Sequence, residues 1–393
     1  MWVAHERGAA INVTERAVGA TFAVIAGGGT AGHALPGVAV GQALVAAGHD
    51  PTSILFVGSE RGVERTMVPA AGFTIITLPG RGIARRLTLD NVGAVVGLIR
   101  ATVKAIGLLR RCRPRVVLSL GGYASAPCVV AAAILRIPVV VTEQNATAGS
   151  AARLAGRVAK VCAVPFAGVD LPRAVVTGNP VRAEVAALAD PTRRATVRAE
   201  TRAALGMTDD RPLLLVMTGS LGAQRVNLAV VDLVKQWQER PVTVFHVTGD
   251  RDFDLVAERL SGFAAPSGGL VLHTVAYESH VERLLAAADV AVCRGGGTTV
   301  AELAVAGLPA VLIPMPGAPR DHQRANAEPL VTTGGAVLVN DEACTAASLA
   351  AALEPIVTDA ARRSSMVTAL RAIARPDAAA AVADLVEEYA RVA

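Results

Sequence analysis

The stretch Val290–Pro309, VAVCRGGGTTVAELAVAGLP, constrains this chain more than any other. The apolar run Val290–Cys293 reads as a buried strand and Gly295–Gly297 as a turn. A helix then opens at Thr298 or Thr299 and closes at Gly307–Leu308–Pro309. Strand, glycine turn and helix in that order set unpaired backbone N–H groups at the positive end of a helix, with no Cβ in the way. That geometry cradles a diphosphate. Glu302 stands one turn into the helix, roughly 6 Å along its axis, where a carboxylate can accept hydrogen bonds from a ribose diol. The same residues spell a capping box, Thr299-x-x-Glu302, which needs no ligand. Taken alone, the stretch leaves both readings level.

The pattern recurs along the chain. Thr21–Ala26 reads as a buried strand, followed by the glycine turn Gly27–Gly29 and a helix over Leu35–Ala47. Strands at Ile54–Gly58, Thr74–Leu78, Val116–Leu120 and Pro138–Thr142 alternate with helices near Val63–Ala71 and Cys128–Leu135. A second series starts with the strand Leu213–Met217, the turn Thr218–Ala223 and the helix Val226–Trp237. It continues through strands at Val242–Thr248, Leu270–Thr274, Val290–Cys293, Ala310–Ile313 and Ala336–Val339. Such alternation predicts an α/β chain of two doubly wound, Rossmann-like units whose ligands bind at the carboxyl ends of the strands. The chain has 393 residues, enough for two cores. The units meet between about Thr177 and Arg211, where Ala183–Arg202 reads as a charged surface helix, and the helix Asp377–Arg391 is expected to pack back across the junction.

Composition excludes several classes. No run of about 18 apolar residues occurs, so no helix spans a membrane. Residues 1–20 lack a continuous apolar core and read as a disordered or start-site extension. The five cysteines form neither a CxxC pair nor a zinc spacing, which fits a reduced cytoplasm without a structural metal. Net charge is +5, and much of the positive charge gathers between Arg81 and Arg115, where nine Lys and Arg residues face the single acid Asp90. Within this cluster Asn91–Leu109 has a helical apolar pattern, with Arg100 and Lys104 one turn apart. An apolar helix flanked by cations suits an anionic membrane surface, and equally an ordinary crossover helix with solvated basic residues. Aliphatic residues, not stacking aromatics, interleave the cluster, which argues against nucleic acid.

Other polar residues fall where ligands would bind. Gly27-x-Gly29-x-x-Gly32 has the dinucleotide spacing, but the acid expected at the tip of the second strand is displaced to Glu60. His33, in the first turn of a helix, is kept neutral by the N-terminal dipole and suits a general base; it could also only cap its loop. Glu143–Gln144–Asn145 and His322–Gln323–Asn326 carry amides suited to sugar hydroxyls, or to ordinary loop hydrogen bonding. Arg182 and Arg294 could pair with phosphate or be salt-bridged.

Seven motifs in order resemble the MurG family of bacterial UDP-N-acetylglucosamine:lipid I N-acetylglucosaminyltransferases. They are GGGTAGH at 27–33, LGGYASAP at 120–127, TEQNATAG at 142–149, GNPVR at 178–182, TGSLGAQRVN at 218–227, CRGGGTTVAELAVAGLP at 293–309 and DHQRANA at 321–327. The resemblance covers about residues 21–385 and implies a glycosyltransferase B architecture. Residues 21–180 would form an acceptor-binding, membrane-facing domain and 181–375 a UDP-sugar domain, with 376–393 crossing back to the first.

By that resemblance Glu302 would hold the ribose, and Gly297, Thr298, Thr299, Ser220 and Arg182 the donor diphosphate. Tyr277 and the Glu278 backbone would meet uracil, and His322, Gln323 and Asn326 the sugar. Asn145, Thr30, Gly32 and the catalytic base His33 would reach the donor from the first domain. Gly29, Thr30, Gly32, Gly121, Gly122 and Tyr123 would meet the acceptor diphosphate, and Arg81, Arg85, Arg86 and Leu87 the membrane. The implied partners are UDP-GlcNAc, lipid I, anionic phospholipid at the cytoplasmic side of the inner membrane, and other cell-wall and division proteins. No metal cofactor is required, with divalent-cation stimulation left open. The chain departs from the family's usual GGTGGH in having Ala31, which adds a Cβ beside the acceptor loop. A different UDP-sugar glycolipid transferase, or a catalytically silent UDP-sugar-binding scaffold, are the competing readings.

Overall fold

A computed structural model describes residues 21–60, 62–79, 90–219 and 222–391, and the side chains of all of these but 90–95 and 391. The expectations for residues 1–20, for Ser220 and for Arg81, Arg85, Arg86 and Leu87 lie outside the described residues.

The first sheet contains β1 (Ala23–Ala26), β2 (Ile54–Ser59), β3 (Thr74–Leu78), β4 (Val116–Ser119), β5 (Val139–Thr142), β6 (Val161–Val164) and β7 (Ala174–Val176). The second contains β8 (Leu213–Met217), β9 (Thr243–Val247), β10 (Val271–Val275), β11 (Val290–Cys293), β12 (Ala310–Leu312) and β13 (Ala336–Leu338). Their orders are β3-β2-β1-β4-β5-β6-β7 and β10-β9-β8-β11-β12-β13, with every pairing parallel. Strands of Val, Ile, Leu and Ala without polar alternation can be stable only if helices cover both faces. Each sheet accordingly has two apolar clusters, one on either side. Strand order reverses between β1 and β4 and between β8 and β11, which opens a crevice at the carboxyl end of each sheet.

Four local outcomes differ from the sequence expectation. The first helix begins at Ala31 rather than Leu35, which does put His33 in its first turn. β6 and β7 went unrecognised; β7 is only three residues long and lies at an exposed edge. The segment expected to be one surface helix is a short turn of helix, Ala183–Ala186, followed by Pro191–Ala204. From the latter, Arg198 and Arg202 grip Asp289, so its basic face is moored and not merely solvated.

The chain passes between the sheets twice, after β7 and again after the helix Ala360–Ile373. The closing helix Ala378–Arg391 places Val382, Ala383, Val386 and Ala390 in the core of the first sheet. The two crossings touch, with Gly178 against the side chain of Arg375. In the basic helix Asp90–Cys112, one face buries Ala101, Ala105, Leu108 and Leu109 in the cluster on the other side of the first sheet. The opposite face exposes Val96 by 51%, Ile99 by 59% and Val103 by 64% beside exposed Arg100 and Lys104.

Candidate active site

On the second domain the helix Gly297–Ala306 starts directly after β11 and its turn. Its N-cap is Gly296, in extended conformation, and no side chain caps it. That register makes Thr299 the third helical residue, which rules out the capping box of Thr299 and Glu302. Glu302 instead is buried, 6% exposed, and accepts a hydrogen bond from Arg182 Nη2 at 3.3 Å. Burial raises the pKa of its carboxyl, Arg182 opposes that rise, and Glu282 adds to it. Arg182 also donates to Ser279 O at 3.4 Å, which ties it to the loop after β10 that carries Tyr277 and Glu278. Tyr277 is 63% exposed, and Glu278 Oε1 accepts from His280 N at 2.7 Å. Arg294, considered for phosphate, is spent on Asp341 Oδ1 at 2.6 Å and Ile313 O at 3.0 Å.

On the first domain His33 is half-buried at the start of the helix Ala31–Ala46. Its Nδ1 pairs with Thr30 Oγ1 at 3.0 Å, and a Cβ at Gly121 would lie 3.5 Å from its Cδ2 and Nε2. Burial pushes the His33 pKa below its ordinary 6.5, Glu143 and Glu64 pull it up, and His322 pushes it down. The imidazole is therefore neutral at pH 7. The direction is the expected one, and burial is its largest cause. Tyr123 donates its hydroxyl to Pro79 O at 3.0 Å. Glu143, buried after β5, accepts from the N–H groups of Gln144, Asn145 and Gly149 and from Asn145 Nδ2.

The two sides meet. Thr298 Oγ1 lies 3.5 Å from Gly32 O, and Asn326 Oδ1 accepts from Ala146 N at 2.7 Å. Asn326 Nδ2 donates to Asn145 Oδ1 at 3.1 Å and to Gly295 O at 3.0 Å. Its amide thus makes two bonds across the domains and one within its own. Gln323 Oε1 accepts from Met315 N at 2.9 Å, and His322 Nδ1 pairs with Pro319 O at 3.0 Å. Gly297 runs so close to Gln144 O that any Cβ would overlap that carbonyl.

One residue escaped the sequence reading. Glu64, not Glu60, is the displaced acid: its carboxylate accepts from Gly29 N at 2.8 Å and from Ser59 N at 2.8 Å. The signal was present as an acid opening the helix after β2. With the glycine turn's N–H turned onto a carboxylate, Gly29 N is withdrawn from any phosphate, and the dinucleotide spacing of Gly27–Gly32 loses its meaning.

The Glycosyltransferase family 28 N-terminal domain matches residues 23–164, and the Glycosyltransferase family 28 C-terminal domain residues 213–387. A protein of Desulforudis audaxviator is 36% identical over 376 residues, covering 93% of this chain and 98% of its own length. One of Acidothermus cellulolyticus is 38% identical over 372 residues, covering 93% and 97%. Both are UDP-N-acetylglucosamine--N-acetylmuramyl-(pentapeptide) pyrophosphoryl-undecaprenol N-acetylglucosamine transferases. The crystal structure of Acinetobacter baumannii MurG superposes with a TM-score of 0.72 at 28% identity, covering 93% of this chain and 99% of that one. The chain belongs to the MurG family. Two parallel-sheet domains in the glycosyltransferase B arrangement, with the last helix returned to the first, are thus a MurG-family fold. A UDP-GlcNAc 2-epimerase from Neisseria meningitidis, at 15% identity and TM-score 0.62, shares that fold alone.

Proposed function

We propose that the chain transfers N-acetylglucosamine from UDP-GlcNAc to the 4-hydroxyl of MurNAc in undecaprenyl-pyrophosphoryl-MurNAc-pentapeptide, lipid I, with inversion at C1. The product is lipid II for peptidoglycan synthesis. The observation that carries this reading is the apposition of His33 and the helix start Gly297–Thr299 across one crevice, in a chain collinear with its family. In the reaction the acceptor O4 bonds to C1 while the C1–oxygen bond to the β-phosphate breaks. The 4-hydroxyl proton goes to His33 Nε2, which has no hydrogen bond among the described residues, with Thr30 steadying the other ring nitrogen. Charge building on the departing diphosphate meets the unpaired N–H groups at the helix start, aided by Ser220 and, once released from Glu302, Arg182. Glu302 takes the ribose, Tyr277 and the Glu278 backbone the uracil, and His322 and Gln323 the sugar. Asn326 joins them by giving up part of its bridge to Asn145. The acceptor diphosphate lies along Thr30, Gly32, Gly121, Gly122 and Tyr123. The reading assigns no resident metal, so transfer is expected to persist after chelation and added divalent ions to change at most its rate.

Lipid I is anchored in a membrane, and the exposed Val96, Ile99 and Val103 stripe with Arg100 and Lys104 supports peripheral attachment at the cytoplasmic face. Among the described residues no helix is long and apolar enough to cross a membrane. Transfer is tested with labelled UDP-GlcNAc and a short-chain lipid I analogue. His33→Ala is expected to cut kcat by about 10²–10⁴-fold with donor affinity kept. Glu302→Ala should weaken donor binding by about tenfold or more. A wild-type protein that binds UDP-GlcNAc without forming disaccharide would sink the acceptor assignment.

A further inference from the structure

Glu64 belongs to no part of the chemistry above, yet it is 2% exposed and both its oxygens are engaged. Oε2 accepts from Gly29 N at 2.8 Å, and Oε1 from Ser59 N at 2.8 Å and Ser59 Oγ at 2.9 Å. A Cβ on Gly28, Gly58 or Gly62 would overlap its side chain, so three glycines make its seat. On its other side the same turn is wedged by Gly122, where a Cβ would overlap Gly28 O. Burial works to raise the Glu64 pKa, but the N–H donors of Ser59 and Gly29 outweigh it and hold the carboxyl below its ordinary range. A buried charge needs such partners to be tolerated.

We infer that Glu64 is a positioning residue for glycosyl transfer: it clamps the Gly27–Thr30 turn to the end of β2 and so sets Thr30 and His33 at the acceptor. The turn leads directly into the helix that carries His33, so a shift at Gly29 is passed on to the imidazole within four residues. Glu64 also fills the place at the tip of β2 where a nucleotide-binding Rossmann domain keeps the acid for its ribose. The first domain thus spends its glycine turn on rigidity and leaves nucleotide binding to the second. This inference rests on His33 as the base.

The test is transfer kinetics of Glu64→Gln, Ser59→Ala and His33→Gln across about pH 5–9, with UDP-GlcNAc affinity by calorimetry and exchange of the Gly29 amide by NMR. The titratable groups facing His33 are Glu64 from the helix after β2, Glu143 after β5 and His322 from the second domain. Removing Glu64's charge therefore lowers the His33 pKa. Glu64→Gln is expected to cut kcat about ten- to a hundredfold, as a misplaced base does. Its donor affinity should match wild type, its Gly29 amide should exchange faster, and the acid limb of its rate profile should move to lower pH. Ser59→Ala should show the same changes in weaker form. Wild-type kcat with an unmoved acid limb would overturn the inference. So would loss of donor binding together with transfer, which would make Glu64 a general prop of the fold. If His33→Gln transfers at the wild-type rate, the base assignment fails instead. Glu64 is then judged by kcat and Gly29 exchange, and unchanged exchange refutes the clamp.

Discussion

His33 is half-buried beside the crevice between the domains, whereas His246 is sealed within a strand of the second sheet. Burial holds the His33 pKa below 6.5, so if His33 is the base, as proposed, the rate of transfer should fall with acid through a midpoint below pH 6.5. His246 on β9 is fully buried, and its Nε2 faces Asn227 Oδ1 at 2.8 Å while Nδ1 has no partner among the described residues. Burial pushes its pKa down to about 4, because a second proton would create a buried N–H with nothing to accept it. The unfolded chain takes up that proton first. Stability is therefore whole above pH 6.5 and declines as pH falls toward about 4, by about 3 kcal/mol from this residue. Denaturant melts of wild type and His246→Leu over that range should show a shallower acid slope in the variant. Sequence patterns gave no hint of His246, which sits in an ordinary apolar strand. They did identify His33, since its place after a glycine turn is a matter of spacing. Glu302 was found for its position and misjudged for its alternative, because a capping box is a claim about helix register, which a glycine N-cap shifted.

At the scale of elements, the junction of β11 with the helix Gly297–Ala306 was readable because strand, turn and helix each announce themselves locally. What lies opposite, the segment of Gln144 and Asn145, came from the resemblance and not from local pattern, since the contact of Gly297 with Gln144 joins residues remote in the chain. That contact predicts a specific failure. Gly297→Ala puts a methyl group into the Gln144 carbonyl, so it should hold the domains apart while leaving each sheet intact. Small-angle scattering is expected to show a larger radius of gyration, with kcat reduced more than donor affinity. An unchanged radius with wild-type kcat would mean that the contact carries no weight. The strand β7 escaped notice for a different reason: three residues at an exposed sheet edge are too few to set up a period.

On the scale of the whole molecule, the basic helix Asp90–Cys112 has the two faces of a crossover helix. One face is core, and the other offers Val96, Ile99 and Val103 to the surroundings. Ile99→Glu with Val103→Glu should therefore reduce binding to anionic vesicles by about tenfold or more while transfer to a soluble acceptor analogue stays near wild type. Equal loss in both assays would make the stripe a structural surface. The return of Ala378–Arg391 to the first sheet has a further consequence. The last layer of the first domain is encoded at the far end of the chain, beyond the whole of the second. A protease nick between β7 and β8 would release no independent halves: the leading fragment lacks the helix that closes its core, and the trailing fragment carries that helix with nothing to cover. Co-expressed pieces split at that point should consequently rejoin into one particle, while either piece made alone should aggregate.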